Sequence, residues 1–224
     1  MRIITIRHDK SQNNILLEQS YQLYLEKRSN DPDIAEGAEE ERCKKIGEYL
    51  KENNIKIDKF YSSCHLRALK TMNYIADGYG KEIPREYFPY IFERGGIFLG
   101  DKGFPGLNKK QVNELFPKVV IPEDVDISKG WYTNEKKETV EECKERVKLC
   151  INKLKEMAQT VNDDYTICMI THENFLNAFY SLLGSCDYLG ESLAYGHKNL
   201  SLSSFTIDKS KKITIDFINY SCLE

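Results

Sequence analysis

Two histidines and two arginines stand where this sequence is equipped for chemistry: Arg7-His8, Arg67 and His172. Each group follows a short apolar run with strand character (residues 2–6, 57–62 and 165–171), and each run is succeeded by a helical pattern. In open sheets of strands alternating with helices, ligands gather beyond the carboxyl ends of the strands. The three runs therefore deliver these side chains to one rim. A guanidinium presents a planar fork of donors to the oxygens of an anion. A neutral imidazole attacks through whichever ring nitrogen its hydrogen-bond partner leaves unprotonated. A single histidine in such a place is most often a core residue. Four side chains converging on one rim instead point to capture of an oxyanion beside a nucleophile.

The elements that must hold them are readable. Runs 2–6 and 165–171 are β-branched and almost continuously apolar, the pattern of strands covered on both faces in a parallel sheet. Cys43, Ile46 and Leu50 share one face of a helix expected over about 36–53, and Leu66, Leu69, Met72 and Ile75 form a stripe after the third strand. Val140, Cys143, Val147, Cys150, Leu154 and Met157 recur at intervals of 3 or 4 through 139–160. Phe175, Leu176, Phe179 and Leu183 mark a further helix, which Gly184 is expected to close as a left-handed cap. Residues 200–207 and 213–218, split by a polar turn, read as a hairpin on the sheet edge. The fold class is α/β: a three-layer α-β-α sandwich with a mostly parallel mixed sheet and an antiparallel edge. Residues 78–130 hold five of the six prolines and eight of the thirteen glycines. That density predicts a loop-rich lid insertion over about 78–137 of a single domain spanning 1–224.

Composition narrows the function classes. Hydrophobic residues make up 41% and charged residues 30% of 224, which suits a globular chain, and the net charge of -3 offers no general field for nucleic acid or an anionic membrane. No apolar stretch approaches a membrane span or a secretory leader, so a cytoplasmic location is expected. Seven cysteines form no C-x-x-C pair. Cys43, Cys143, Cys150 and Cys168 fall on apolar positions and are expected to be reduced and buried.

The segment Arg7-His8-Asp9-Lys10-Ser11-Gln12-Asn13-Asn14 resembles the R-H-G-x-[ST]-x-x-N signature of the histidine phosphatase superfamily, also called phosphoglycerate mutase-like. Ser62-Ser63-Cys64-His65-Leu66-Arg67-Ala68-Leu69-Lys70-Thr71 is similar to its S-S-x-x-x-R-A-x-x-T segment. Phe92-Glu93-Arg94-Gly95 resembles the stretch bearing its acidic proton donor, and Glu138-Thr139 with Arg146-Val147 its E-[ST]-x6-R-V helix. Ile170-Thr171-His172, Asn199-Leu200-Ser201-Leu202 and the ending Asn219 to Leu223 follow in the family's order, with Cys222 in place of a usual histidine.

The resemblance implies a phosphomonoester hydrolase in which His8 carries a transient phosphoryl group. Arg7, Arg67 and a protonated His172 would hold the phosphate oxygens, with Ser11 and Asn14 on the substrate side. Glu93, in the lid, would protonate the leaving group and later activate water. No metal and no cofactor are implied, and the partner is a small phosphorylated substrate, the oligomeric state being left open. Two acids replace the family's usual glycines, Asp9 and Glu173. Facing the pocket they would repel phosphate and favour the imidazolium. The expectation is that both point away, with Glu173 suiting a helix N-terminus. Arg94, Lys102, Lys109 and Lys110 are further lid cations, with a merely solvated loop as the plain alternative. His65 and His197 read as structural or surface residues. A phosphoglycerate mutase-type transferase and a weakened phosphate-binding or scaffold protein stay open as alternatives.

Overall fold

The computed structural model describes residues 1–36, 39–188 and 194–223. In chain order, β1 (Arg2–Arg7) leads to α1 (Gln12–Gln19) and α2 (Tyr21–Lys27), then to α3 (Glu39–Glu52), β2 (Lys59–Ser62) and α4 (Leu66–Tyr79). The next stretch holds β3 (Arg85–Tyr87), β4 (Phe98–Leu99), β5 (Lys102–Gly103), α5 (Lys109–Leu115) and β6 (Val119–Val120). The chain ends with α6 (Val140–Thr160), β7 (Thr166–Thr171), α7 (Glu173–Leu183), β8 (Leu202–Ile207) and β9 (Ile213–Tyr220). Positions 37–38, in the first turn expected of the helix over 36–53, lie outside the described residues.

Seven strands form one sheet in the order β6-β3-β2-β7-β1-β8-β9, parallel from β6 to β1, with β8 and β9 antiparallel. Strand periodicity splits the core in two. Ile4, Ile6, Phe60, Cys168 and Ile170 pack with α3 and α4 on one face. Ile3, Tyr61, Ile167, Met169 and Phe205 pack with α6 and α7 on the other. This is the expected three-layer α-β-α sandwich with an antiparallel edge. Cys43, Cys143, Cys150 and Cys168 are free and buried within it.

α3 and α4 cross closely because each supplies a glycine at the contact. A Cβ on Gly47 would sit 2.1 Å from Ile75 O, and one on Gly78 2.1 Å from Lys44 O. α6 begins in a capping box, with Thr139 Oγ1 accepting from Glu142 N and the Glu142 carboxylate accepting from Thr139 N.

Two expectations need correction. The insertion over about 78–137 is not all lid. Arg85–Tyr87 extends the main sheet as a parallel strand beside β2 and Val119–Val120 beside β3, while the β4–β5 hairpin and the stretch before α5 are bonded to residues 127–137, as in Gly103 N to Glu135 O and Tyr132 N to Pro105 O. Strands of two or three residues among prolines and glycines leave no periodicity to read. Gly184 is not the left-handed cap of α7 either. Its φ is -78°, and Ser185 takes φ 59° instead. Cys186 N bonds Ser181 O at 2.9 Å and Ser185 N bonds Leu182 O at 3.2 Å, which is the Schellman arrangement shifted one residue along. Among the described residues no helix is long and apolar enough to cross a membrane.

Candidate active site

The three neighbouring strands β2, β7 and β1 end together. Arg7 pairs with Thr171 and Ser62 with Ile170 in register. His8 and His172 therefore follow their strands at one level, with Ser63 one residue short of it, and Arg67 enters from the first turn of α4. A cavity of about 460 Å³ opens over this rim, lined by Arg7, His8, Ser11, Asn14, Arg67 and Glu93 among others.

His8 is 3% exposed. Its Nδ1 lies 2.6 Å from Asp9 O, and its Nε2 accepts from Arg67 Nε at 3.1 Å. A guanidinium only donates, so Nε2 carries the lone pair and Nδ1 the proton. Burial, then the Arg67 and Arg7 charges, hold the imidazole well below its ordinary value. The ring is therefore neutral, with its unprotonated nitrogen beside the principal cation.

Arg7 is already engaged. Its Nη1 donates to His197 O at 2.6 Å, its Nη2 meets Glu173 Oε2 at 2.9 Å, and its Nε is buried without a partner. Arg67 Nη1 lies 3.6 Å from Asp31 Oδ1, and burial lowers its pKa first of all, against the pull of Asp31.

Ser11 and Asn14 form the capping box of α1. Asn14 Oδ1 accepts from Ser11 N and Oγ at 3.0 and 2.9 Å. That orients the Asn14 amide so that its nitrogen is the donor left for a ligand. Ser11 acts first as the cap that fixes it.

Glu93 lines the cavity, where its carboxylate accepts from Arg94 N at 2.8 Å, Phe175 N at 3.1 Å and Asn174 N at 3.4 Å. It sits on the N-terminal turn of α7, which supplies backbone donors to an anion. Behind it, Arg146 grips Glu138 through two bonds of 2.7 Å and donates to Tyr90 O and Phe92 O. Glu138 in turn accepts from Gly95 N. The chain on both sides of Glu93 is thus clamped to α6.

Three expectations about the site change. His172, expected as a protonated cation on the phosphate, does not line the cavity. It is fully buried, with Nε2 2.6 Å from Ser63 Oγ and Nδ1 without a partner. Burial and the Arg67 charge push its pKa far down. It lies under His8 with ring centroids 5.0 Å apart. Glu173 does face the cavity, paired to Arg7, whereas Asp9 turns inward as expected. Asp9 is 0% exposed and accepts from Lys10 N at 2.7 Å, with Arg42 Nη1 at 3.4 Å. Burial raises both carboxyls, and for Glu173 the Arg7 charge opposes the rise. His65, read as structural or surface, lines the cavity. Its Nδ1 lies 2.9 Å from Asp31 Oδ1 and its ring packs on His172 and Trp131. Burial and Arg67 depress it to about 4.

Lys102, Lys109 and Lys110 stand apart from this cavity, while Arg94 lines it and donates to the Tyr188 hydroxyl. Sequence reasoning missed Asp31, Arg28 and Lys137. His65 alone carried a signal, two residues before Arg67 at a strand-to-helix turn. Among the described residues no group of three or more His, Cys, Asp and Glu side chains could hold a metal ion.

Comparison with known proteins agrees with this fold. A curated 2,3-bisphosphoglycerate-dependent phosphoglycerate mutase from Pelagibacter ubique is 41% identical over 78 residues, 34% of this chain and 28% of that protein. The ecdysone phosphate phosphatase of Bombix mori superposes with a TM-score of 0.66 at 15% identity, covering 98% of this chain and 95% of the other. The alpha-ribazole phosphatase of Shigella flexneri does so at 0.61 and 16% identity, covering 98% and 96%. Likeness at such identity shows a shared fold. The pattern describing the histidine phosphatase superfamily (branch 1) matches residues 26–220, starting beyond Arg7-His8 and running through Arg67, Glu93 and His172. With that match over most of its length, the shared fold and a histidine at the end of β1, the chain belongs to the histidine phosphatase superfamily.

Proposed function

We propose that this protein is a metal-independent phosphomonoester hydrolase working through a phosphohistidine on His8. The observation that carries the reading is the fixed, neutral state of that ring: Nδ1–H is held on Asp9 O while the Nε2 lone pair meets the Arg67 guanidinium in the cavity. A phosphate dianion entering there draws the Arg67 donors onto its oxygens, and Nε2 is released to attack phosphorus. The P–N bond forms as the P–O bond to the alcohol breaks, and Glu93 gives its proton to the departing oxygen. Water then attacks the phosphohistidine. Glu93 takes its proton, the P–N bond breaks and inorganic phosphate leaves.

Phosphate release should be measured across a panel of phosphomonoesters with EDTA present, using His8→Ala as blank. The expected result is turnover that falls about a thousandfold or more in His8→Ala, with Glu93→Gln slowing poor leaving groups most. Equal activity in parent and His8→Ala would refute the role of His8. A requirement for an added divalent ion would refute metal independence. The stretch shared with the mutase relative favours a second reading, phosphoryl transfer back to the sugar acid. Interconversion of phosphoglycerates without phosphate release would select it.

A further inference from the structure

Above the phosphate end, the cavity wall changes character. α1 and α2 bury none of their residues. Nevertheless Leu17, Tyr21 and Leu25, which are 48%, 66% and 50% exposed, all line the cavity. Helices usually turn such side chains into a core, and a shared open wall of this kind marks a place where an apolar ligand is covered. Phe98 of β4 contributes a further ring to the same cavity.

Two cations flank that ring. Lys137 Nζ lies 4.5 Å from the Phe98 centroid, and the Arg28 guanidinium carbon 4.6 Å from it and 5.1 Å from that of Tyr24. Arg28 Nη2 donates to Phe98 O at 3.0 Å, while its Nε is buried with no partner. Many cations among the described residues sit beside a carboxylate, as Lys10, Lys44 and Lys59 do. Arg28 and Lys137 instead rest on aromatic faces, which hold a cation without neutralising it.

We propose that the alcohol half of the substrate is a flat apolar group bearing a second negative charge. Its phosphate lies on Arg67 and His8, its apolar body against Leu17, Tyr21 and Leu25 opposite Phe98, and its second anion at Arg28 and Lys137. This rests on the phosphomonoester reading and names the class of ester the same cavity takes. Small polyol phosphates would leave the apolar wall wet and the outer cations unmatched.

The test is titration calorimetry with phosphonates that cannot be hydrolysed: methylphosphonate, benzylphosphonate and 4-carboxybenzylphosphonate. Benzylphosphonate should bind about tenfold tighter than methylphosphonate, the scale of burying part of one aromatic ring. The carboxylate should add roughly fivefold more. The Tyr21→Ala/Leu25→Ala double variant should collapse the first ratio, and Lys137→Gln the second. Both change open side chains, so the fold is retained. A bis-phosphonate of the same ring, compared with the carboxylate, shows which second anion is preferred. Equal binding of all three ligands, or ratios that survive the variants, would overturn the inference. Phosphate release is scored separately. Discrimination among phosphonates without any ester turnover would sink the hydrolase reading and confine this one to the phosphorylated ligand that the cavity binds.

Discussion

Acidification should unfold this protein through its histidines. The chain has four, all of them at most 3% exposed, and burial is the leading cause that lowers each. An ordinary histidine titrates near 6.5, whereas His65 and His197 are held to about 4. Between those values the unfolded chain binds a proton that the folded chain refuses, so stability is complete above pH 6.5 and falls as pH drops toward 4. Linkage makes the loss by pH 5 about 2 kcal/mol for each of these two rings. His8 and His172 add to it in the same direction. Asp9 and Glu173, whose carboxyls burial raises, take up protons in the folded state and offset part of the loss. A domain of ordinary stability has only about 5–15 kcal/mol to lose. Urea denaturation at pH 8, 7, 6 and 5 measures the slope. His197→Phe supplies the control, because neither ring nitrogen of His197 has a partner and a phenyl ring forfeits no hydrogen bond. At pH 5 the variant should exceed the parent by about 2 kcal/mol more than it does at pH 8. Parallel stability curves for the two proteins would refute the reasoning.

Other substitutions test the site and the packing. Glu173→Gln frees Arg7 from its 2.9 Å ion pair and removes a charge worth about 1 kcal/mol to a nearby anion, so inorganic phosphate should inhibit roughly fivefold more tightly; unchanged or weaker inhibition would show that the carboxylate does not oppose the ligand. Arg146→Ala leaves Glu138 buried without its cation and unclamps the stretch bearing Glu93. The expected loss is about 3–5 kcal/mol, read by urea denaturation, with turnover falling under conditions where the variant stays folded. Gly47→Ala drives a Cβ to 2.1 Å from Ile75 O, and the helices must part at a cost of about 1–3 kcal/mol; thermal unfolding at parental Tm would contradict the close crossing of α3 and α4.

How much of this was legible follows from how each residue is carried. His8, Arg67 and His172 hang from regular strands and helix starts, so reading the strands also fixed the rim. Asp31 and Arg28 come from the connection after α2, which has no period, and chain path alone brings Asp31 beside His65 and Arg67. Lys137 resembles any lysine of a polar loop until Phe98 is seen beneath it. What holds the His172 ring toward its neutral form is not legible in the chain either. Its neighbour Arg67 makes a second buried cation unfavourable, and no residue pattern states a burial depth.

The two acids in place of glycines show where family patterning and physical requirement part. Glycine is needed where φ is positive or where a Cβ would collide. Neither Asp9 nor Glu173 is among the residues with positive φ, so an ordinary L-residue fits the backbone at both. What decides their effect is therefore charge. Asp9 directs its carboxylate onto Lys10 N, Arg42 and Cys43, away from the anion. Meanwhile its peptide still serves His8, with Asp9 O at Nδ1 and Asp9 N donating to Thr71 Oγ1. Glu173 stands at the cavity and is tolerated because Arg7 meets it directly. Under the proposed phosphatase mechanism an incoming dianion would compete for that guanidinium, and the two replacements would act unequally: one braces the partner of His8, and the other sets how tightly the product is held.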